Sequence, residues 1–206
     1  NQQINKIRYF GVKETDSFFS QRSTVLLNEI ILLTGPASFL LYPEVIIKGQ
    51  LSAIINILIL QLACIMTIFL TYTNRSQSAK WFYNVFFTLY MTSMIMLHGI
   101  NIRADYFYVF FIITSVIFFE KILQQIASII LIISCHFLAI YYTKHYPALM
   151  IENVSDWTGS IVFISMCMAV FAIISRFKKD SDEHEKEIKE NLQNLQEKQK
   201  QIEIKN

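Results

Sequence analysis

Six long apolar runs constrain this chain more than any other feature of its sequence. About 20 mostly apolar residues in a helix, each rising about 1.5 Å, cross a hydrocarbon core of about 30 Å. The runs are continuously apolar and lack the alternation of barrel strands, so each is predicted to be a helix. They cover residues 24–42, 51–72, 80–100, 106–119, 121–142 and 157–177. The predicted fold class is therefore an all-α membrane protein with six transmembrane helices.

The first and fourth runs are the least typical of membrane spans. The first contains Asn28, Glu29 and the Gly35-Pro36 pair, and a proline within a span frees a backbone carbonyl and kinks the helix. The fourth has about 14 residues before Glu120, which is short for a hydrocarbon core. The limits of these two spans are expected to be the least certain.

Composition agrees with a chain surrounded largely by lipid. Hydrophobic residues make up 53% of it and charged residues 17%, whereas soluble domains are about a quarter charged. Of the 34 charged residues, 16 lie in residues 176–206, where acidic residues match the basic ones, so no nucleic-acid partner is predicted. Cys64, Cys135 and Cys167 each lie in an apolar run, where a thiol is predicted to behave as a small hydrophobe. No disulfide, metal site or cofactor is predicted from them.

Lysine and arginine counts beside the spans predict the orientation. With the N-terminus inside, the inner segments hold ten of these residues and the outer segments hold three, Lys48, Arg103 and Lys144. The predicted topology is multi-pass in the cell inner membrane with both termini cytoplasmic. No cleavage site for a signal peptide follows the first run, so residues 1–23 are predicted to be a retained cytoplasmic segment. The ten inner residues are Lys6, Arg8, Lys13, Arg22, Arg75, Lys80, Lys121, Arg176, Lys178 and Lys179.

The tail, residues 178–206, contains neither glycine nor proline and is predicted to continue the sixth helix as a cytoplasmic coiled coil. Its seam positions are spaced 4, 3, 4 and 3 residues apart, the spacing of a two-stranded coiled coil. They are Ile188, Leu192, Leu195, Gln199 and Ile202. A parallel homodimer follows from such a seam. The alternative is a solvated helix or a frayed tail.

The order of these features resembles the six-helix membrane sensor region of bacterial signalling proteins. The resembling stretches are KIRYFG at residues 6–11, FFEK at 118–121 and LQEKQKQIE at 195–203. The resemblance implies a sensor domain over residues 24–177 and a signalling helix over 178–206. It also implies an output domain after Asn206, where the heptad pattern is still running. A histidine kinase is the first expectation for that output and a class III adenylyl cyclase the second.

Ionisable groups inside spans are costly and are therefore candidates for function. Polar and aromatic residues at the outer ends of spans three to six could line one pocket for a small lipophilic ligand. These candidate residues are His98, Asn101, Arg103, Asp105, Tyr141, His145, Asp156 and Trp157. His136, within the fifth span, is predicted either to bond a neighbouring helix or to contact the ligand. The alternative for the outer residues is that they are interfacial caps and anchors.

Further polar residues within the first three spans are predicted to join helices by hydrogen bonds, with a transport path as the alternative. They are Asn28, Glu29, Asn56, Gln61 and Asn84. No catalytic residue is predicted, since the chain has no glycine motif for nucleotides and no paired aspartates of the cyclase kind.

The leading functional hypothesis is a receptor module that passes a membrane or small-ligand signal through a dimeric coiled coil. The alternatives are a small transporter or channel and a passive dimerising membrane anchor.

Overall fold

The computed structural model describes residues 7–13, 16–39, 51–99, 106–146, 167, 170–171, 175 and 188–195. These residues are helical or irregular, and none of them forms a strand. The chain divides into two compact units, Asn1–Met166 and Cys167–Asn206. The described helices of the first unit are α1 (Phe18–Ser38), α2 (Leu51–Tyr72), α3 (Ser76–His98), α4 (Tyr106–Phe118) and α5 (Ile122–His145).

The α2 helix has the predicted limits, and α3, α4 and α5 begin and end within four residues of theirs. The prediction for the first helix was wrong at its start, because α1 begins at Phe18, six residues before Thr24. The Ser17 side chain caps this start by accepting a hydrogen bond from the Ser20 N–H at 3.1 Å. The last residues of the predicted cytoplasmic segment are therefore helical. The helix also contains Pro36 in its last turn.

Backbone geometry accounts for two of the other helix ends. Between α2 and α3 the chain turns at Asn74, which has a φ of 61°, a conformation that asparagine tolerates better than most residues. At the end of α3, Gly99 has a φ of 81°, and its N–H donates to the Ile95 carbonyl at 2.8 Å. Glycine adopts such a positive φ without the steric cost that a Cβ would bring. The short α2–α3 turn places these two helices side by side and antiparallel.

The α3 helix is the centre of the first unit. It packs against α2, α4, α5 and α1, whereas α1 packs mainly against α2 and α4 packs mainly against α5. Nine α3 residues are buried, spaced three, four or one residues apart along one side of the helix. A structural or chemical change on that side of α3 therefore alters its packing against several helices.

The exposed sides of α2 and α5 are more apolar than their buried sides. The α2 residues that are buried are Ile57, Leu60, Ala63, Cys64, Thr67 and Thr71. Its exposed large residues are Leu51, Ile55, Leu58, Ile59, Leu62, Ile65, Met66, Phe69 and Tyr72. On α5 the buried residues are Ser128, Ile132, Cys135 and Ala139, while isoleucine, leucine and phenylalanine side chains point outward. Water-soluble helices bury their apolar side, so this pattern is reversed.

Two described helical segments, Ile54–Tyr72 and Ile122–His145, are long and apolar enough to cross a membrane. A buried core helix of a soluble protein can pass the same test of length and composition. Here only 33% and 22% of the apolar windows are buried, which is low for core helices. Of the six predicted spans, the second and the fifth are thus supported by the length and apolar composition of their helices. The sixth lies almost wholly outside the described residues.

In the second unit, residues 188–195 form a helix. The seam residues Ile188, Leu192 and Leu195 are all exposed. The other two seam residues, Gln199 and Ile202, lie outside the described residues. The described part of the tail is therefore helical, and all eight of its residues are exposed, the three apolar seam residues among them.

Candidate functional site

The structure describes four of the residues predicted to contact a ligand, which are His98, His136, Tyr141 and His145. His98 is buried at the end of α3, and His136 is half-buried on α5. Tyr141, also on α5, is exposed and stacks on His145 with the ring centroids 4.3 Å apart. The remaining predicted residues, Asn101, Arg103, Asp105, Asp156 and Trp157, lie outside the described residues. The proposed outer pocket therefore stays a prediction.

Tyr108 on α4 connects one predicted residue to the interior of the bundle. Its ring meets the His136 ring edge-on, with centroids 4.9 Å apart. Its hydroxyl lies 2.8 Å from the Thr92 hydroxyl on α3. Thr92 also donates to the Thr88 carbonyl at 2.8 Å. His136 thus contacts a neighbouring helix through its ring, next to a polar contact that joins α3 to α4.

A second polar contact joins three helices at Ser115. This α4 hydroxyl donates to the Phe111 carbonyl at 2.7 Å and lies 2.9 Å from the Ser128 hydroxyl of α5. The Asn84 side chain of α3 donates to it at 2.8 Å. All three polar side chains, those of Asn84, Ser115 and Ser128, have no exposed surface. The prediction that Asn84 joins helices by a hydrogen bond is confirmed.

These contacts belong to a buried polar row along α3. Its members are Lys80, Asn84, Thr88, Thr92 and His98, and each is at most 8% exposed. The first four are spaced four residues apart, so each is a neighbour of the next on the helix surface. From Lys80 to His98 the helix rises about 27 Å, close to the thickness of a hydrocarbon core of about 30 Å. We call these five residues the α3 polar row.

Lys80 is the first member of the α3 polar row along the chain. Its ammonium donates to the Ser23 hydroxyl at 2.7 Å and to the Ser20 carbonyl at 3.4 Å, both on α1. The negative charges of Asp16 and Glu120 also act on this ammonium. A buried ammonium requires such partners, because desolvation disfavours its charge. Lys80 therefore ties the start of α3 to the start of α1.

With this geometry described, the chain can be compared with known proteins. No family model, curated protein or solved structure matches it. The function must therefore be argued from the geometry.

The N-terminal segment, residues 7–13, contacts the middle of α1 and the end of α2. The buried Asn28 side chain of α1 donates to the backbone carbonyls of Arg8 and Phe10, each at 3.0 Å. Arg8 also forms an ion pair with Glu29. Asn28 and Glu29 were predicted to join helices, but the structure places their partners in this segment. The sequence shows two polar residues in an apolar run but gives no sign of which segment they bind.

Gly11 brings the same segment against α2. Its φ of +71° favours glycine, and a Cβ built there would lie 2.5 Å from the Thr71 carbonyl oxygen. The adjacent Phe10 ring meets the Tyr72 ring edge-on, with centroids 5.1 Å apart. We call residues 7–13 with these contacts the N-terminal clasp, because they join the middle of α1 to the end of α2.

The side chains of Gln61 and Asn56 on α2 were both predicted to bond a neighbouring helix, and the structure shows this bond for Gln61. The Gln61 side chain donates to the Ser38 hydroxyl of α1 at 3.1 Å, which confirms its predicted interhelical bond. For Asn56 the bond is formed by its backbone carbonyl, which accepts from the Tyr90 hydroxyl at 3.1 Å.

In the part of the chain that the structure describes, no three or more His, Cys, Asp or Glu side chains are grouped so as to hold a metal ion.

Proposed function

We propose that this chain is the membrane sensor module of a signalling protein. In this proposal six transmembrane helices detect a small lipophilic ligand or a property of the membrane. The sixth continues into a coiled coil through which two copies meet as a homodimer, with both termini in the cytoplasm. A histidine kinase is the first candidate for the output and an adenylyl cyclase the second. The module itself performs no catalysis.

The reversed faces of α2 and α5 support placing the bundle in a membrane. Leu62, Ile65 and Phe69 point outward from α2, while Thr67 and Thr71 are buried. In water this arrangement would leave a large apolar surface uncovered. In lipid the apolar side chains lie against acyl chains and the hydroxyl groups bond inside the bundle, which is how membrane helices pack.

The single observation that carries the signalling proposal is the exposed row of Ile188, Leu192 and Leu195 on a helix of the second unit. These residues share one side of the helix at heptad spacing, and nothing in the described part of the chain covers them. A second copy of the same helix would cover them symmetrically. A coiled coil of this kind can pass a rotation or tilt of the membrane helices to an attached domain.

Disulfide crosslinking in native membranes tests this dimer. In a variant without the three native cysteines, we introduce Leu192→Cys at the seam. Its matched control is Gln193→Cys, the next residue along the described helix, which heptad numbering places away from the seam. We expect mild oxidation to convert most of the Leu192→Cys chain to a dimer and little of the Gln193→Cys chain.

Equal crosslinking at the two positions would refute a specific seam, and so would none at either. The passive anchor predicts the same crosslinks but no change of them with any stimulus. We therefore repeat the Leu192→Cys measurement in bilayers of different acyl-chain length. A sensor of membrane properties should show different dimer yields, whereas an anchor should not.

Transport is the second candidate function, and the α3 polar row is the observation that favours it. Five buried polar residues that extend about 27 Å along one helix could line a path for a solute. Reconstitution in liposomes distinguishes the two functions. Flux of protons or small ions that is lost in Thr88→Val would favour transport, whereas tight liposomes would favour the sensor.

A further inference from the structure

Two buried polar atoms in the middle of the α3 polar row have no hydrogen-bonding partner among the described residues. They are the side-chain oxygen Oδ1 of Asn84 and the hydroxyl oxygen of Thr88, and neither residue has any exposed surface. The two residues are four apart on α3, so their side chains are neighbours on one side of the helix. Leaving such atoms unbonded in a protein interior costs about 1–3 kcal/mol each.

The Ser115 contacts explain the orientation of the Asn84 amide. A serine hydroxyl has one proton and two lone pairs. The Ser115 proton goes to the Phe111 carbonyl, and its oxygen is also bonded by Ser128 and by the Asn84 side-chain nitrogen. Ser115 therefore has no second proton to offer, and Asn84 must turn its nitrogen toward it. The Asn84 oxygen is thereby left on the other side as an acceptor.

The Thr88 hydroxyl differs from its neighbours on the same helix. Thr92 and Ser93 each donate to the carbonyl one turn earlier, at 2.8 Å and 2.9 Å, which is a common bond for such residues in membrane helices. Thr88 makes no such bond to any described residue. Its hydroxyl remains able to donate and to accept one turn above the Asn84 oxygen.

We infer that Asn84 and Thr88 form a binding site inside the bundle for one neutral hydroxyl group, either that of a water molecule or that of a small alcohol. Such a group donates to the Asn84 oxygen and bonds the Thr88 hydroxyl, which satisfies both atoms. The lack of exposed surface limits the occupant to the size of water or of a single hydroxyl end.

Charge excludes ions as the occupant. The ammonium of Lys80 lies one turn before Asn84 on the same side of α3 and repels a cation. No acidic residue occurs in α3, α4 or α5 to compensate a cation. An anion is disfavoured because the Asn84 oxygen can only accept hydrogen bonds. A neutral donor is the remaining class.

The sign of the stability change in Thr88→Val tests the site. Valine has the shape of threonine without its hydroxyl. If the hydroxyl binds a ligand, its loss should lower the melting temperature of the full chain in detergent by about 2–4 °C. Thr88→Ser, which keeps the hydroxyl, should recover part of that loss. Thr92→Val is the matched control, because it removes a hydroxyl whose bonds to Tyr108 and Thr88 are in the structure.

An unchanged or higher melting temperature in Thr88→Val would overturn the inference, because removing an unbonded hydroxyl is stabilising. A double-mutant cycle provides a second test. Asn84→Ala and Thr88→Val should be non-additive, since a shared ligand couples two residues that do not bond each other. Additive losses would also overturn the inference.

Ethanol as a probe distinguishes the two sources of the hydroxyl group. If the occupant is an alcohol, the difference in melting temperature between wild type and Thr88→Val should grow with ethanol concentration. If it is water, that difference should stay constant. The site requires only the contacts of α3 with α4 and α5, so it can fail or succeed independently of the coiled-coil dimer.

Discussion

Replacing Asn28 with alanine should release the N-terminal clasp from α1. The substitution removes two hydrogen bonds, to the carbonyls of Arg8 and Phe10, and each such bond contributes about 0.5–1.5 kcal/mol net. It also removes the Asn28 side-chain oxygen, which is buried without a partner among the described residues, and this offsets part of the loss. We expect a net loss of about 1–2 kcal/mol, which raises the detached population about 5–30-fold.

Limited trypsin digestion of inverted membrane vesicles, which expose the side proposed to be cytoplasmic, measures this population. The Arg8 carbonyl belongs to the bond that trypsin cuts after Arg8, and Asn28 holds that carbonyl in the docked clasp. When opening and closing are fast, the cleavage rate follows the population of the open form. The rate of cleavage after Arg8 in Asn28→Ala should therefore rise about 5–30-fold over wild type.

Glu29→Gln is the matched control, one residue along the same helix. It removes the ion pair with Arg8, whose side chains are 28% and 24% exposed. Ion pairs in contact with solvent contribute about 0.2–1 kcal/mol, so cleavage should rise less than about fivefold. If Glu29→Gln increased cleavage as much as Asn28→Ala, the ion pair would hold the clasp and the argument from the buried amide would be wrong.

Two further predictions concern close packing and the outer surface. Gly11→Ala should increase cleavage after Arg8 at least as much as Asn28→Ala, because its Cβ would lie 2.5 Å from the Thr71 oxygen. The control Gly35→Ala, where the nearest atom to the new Cβ is 3.9 Å away, should leave the cleavage rate unchanged. Equal cleavage rates in the two variants would contradict the steric argument. Leu62→Lys, at an α2 position 64% exposed, should reduce the amount of chain in the membrane fraction, since a charge at the bilayer centre costs about 2.5–3.5 kcal/mol. Tyr72→Lys, at the end of the same helix, should be tolerated, and normal insertion of both variants would argue against a lipid-facing α2.

Helix positions were largely predictable from the sequence, because long apolar runs identify the middle of each helix. The ends depend on local bonds that hydropathy does not register. The start of α1 at Phe18 is an example, since four polar residues, Ser20 to Ser23, follow it, and the Ser17 cap stabilises this start. The first predicted helix was therefore placed too late in the chain.

Partners of the buried polar residues were less predictable. Asn84 and Gln61 are unusual enough within apolar runs to suggest bonds between helices, and both form them. Ser115, Ser128 and Thr88 gave no such signal, because serine and threonine in membrane helices commonly bond their own backbone. Which of them face a neighbouring helix depends on the rotation of each helix about its axis, which the sequence does not state.

The outward apolar faces of α2 and α5 also determine how such a bundle would unfold in lipid. Acyl chains are as apolar as leucine, so separating these helices exposes no new apolar surface to water. The forces that hold the helices together are then close packing at Ala63 and Ala139 and bonds such as Asn84 to Ser115. Heating should separate the helices while each keeps its own backbone hydrogen bonds. Calorimetry should accordingly show a small heat-capacity change, and circular dichroism should retain most of its helical signal through the transition.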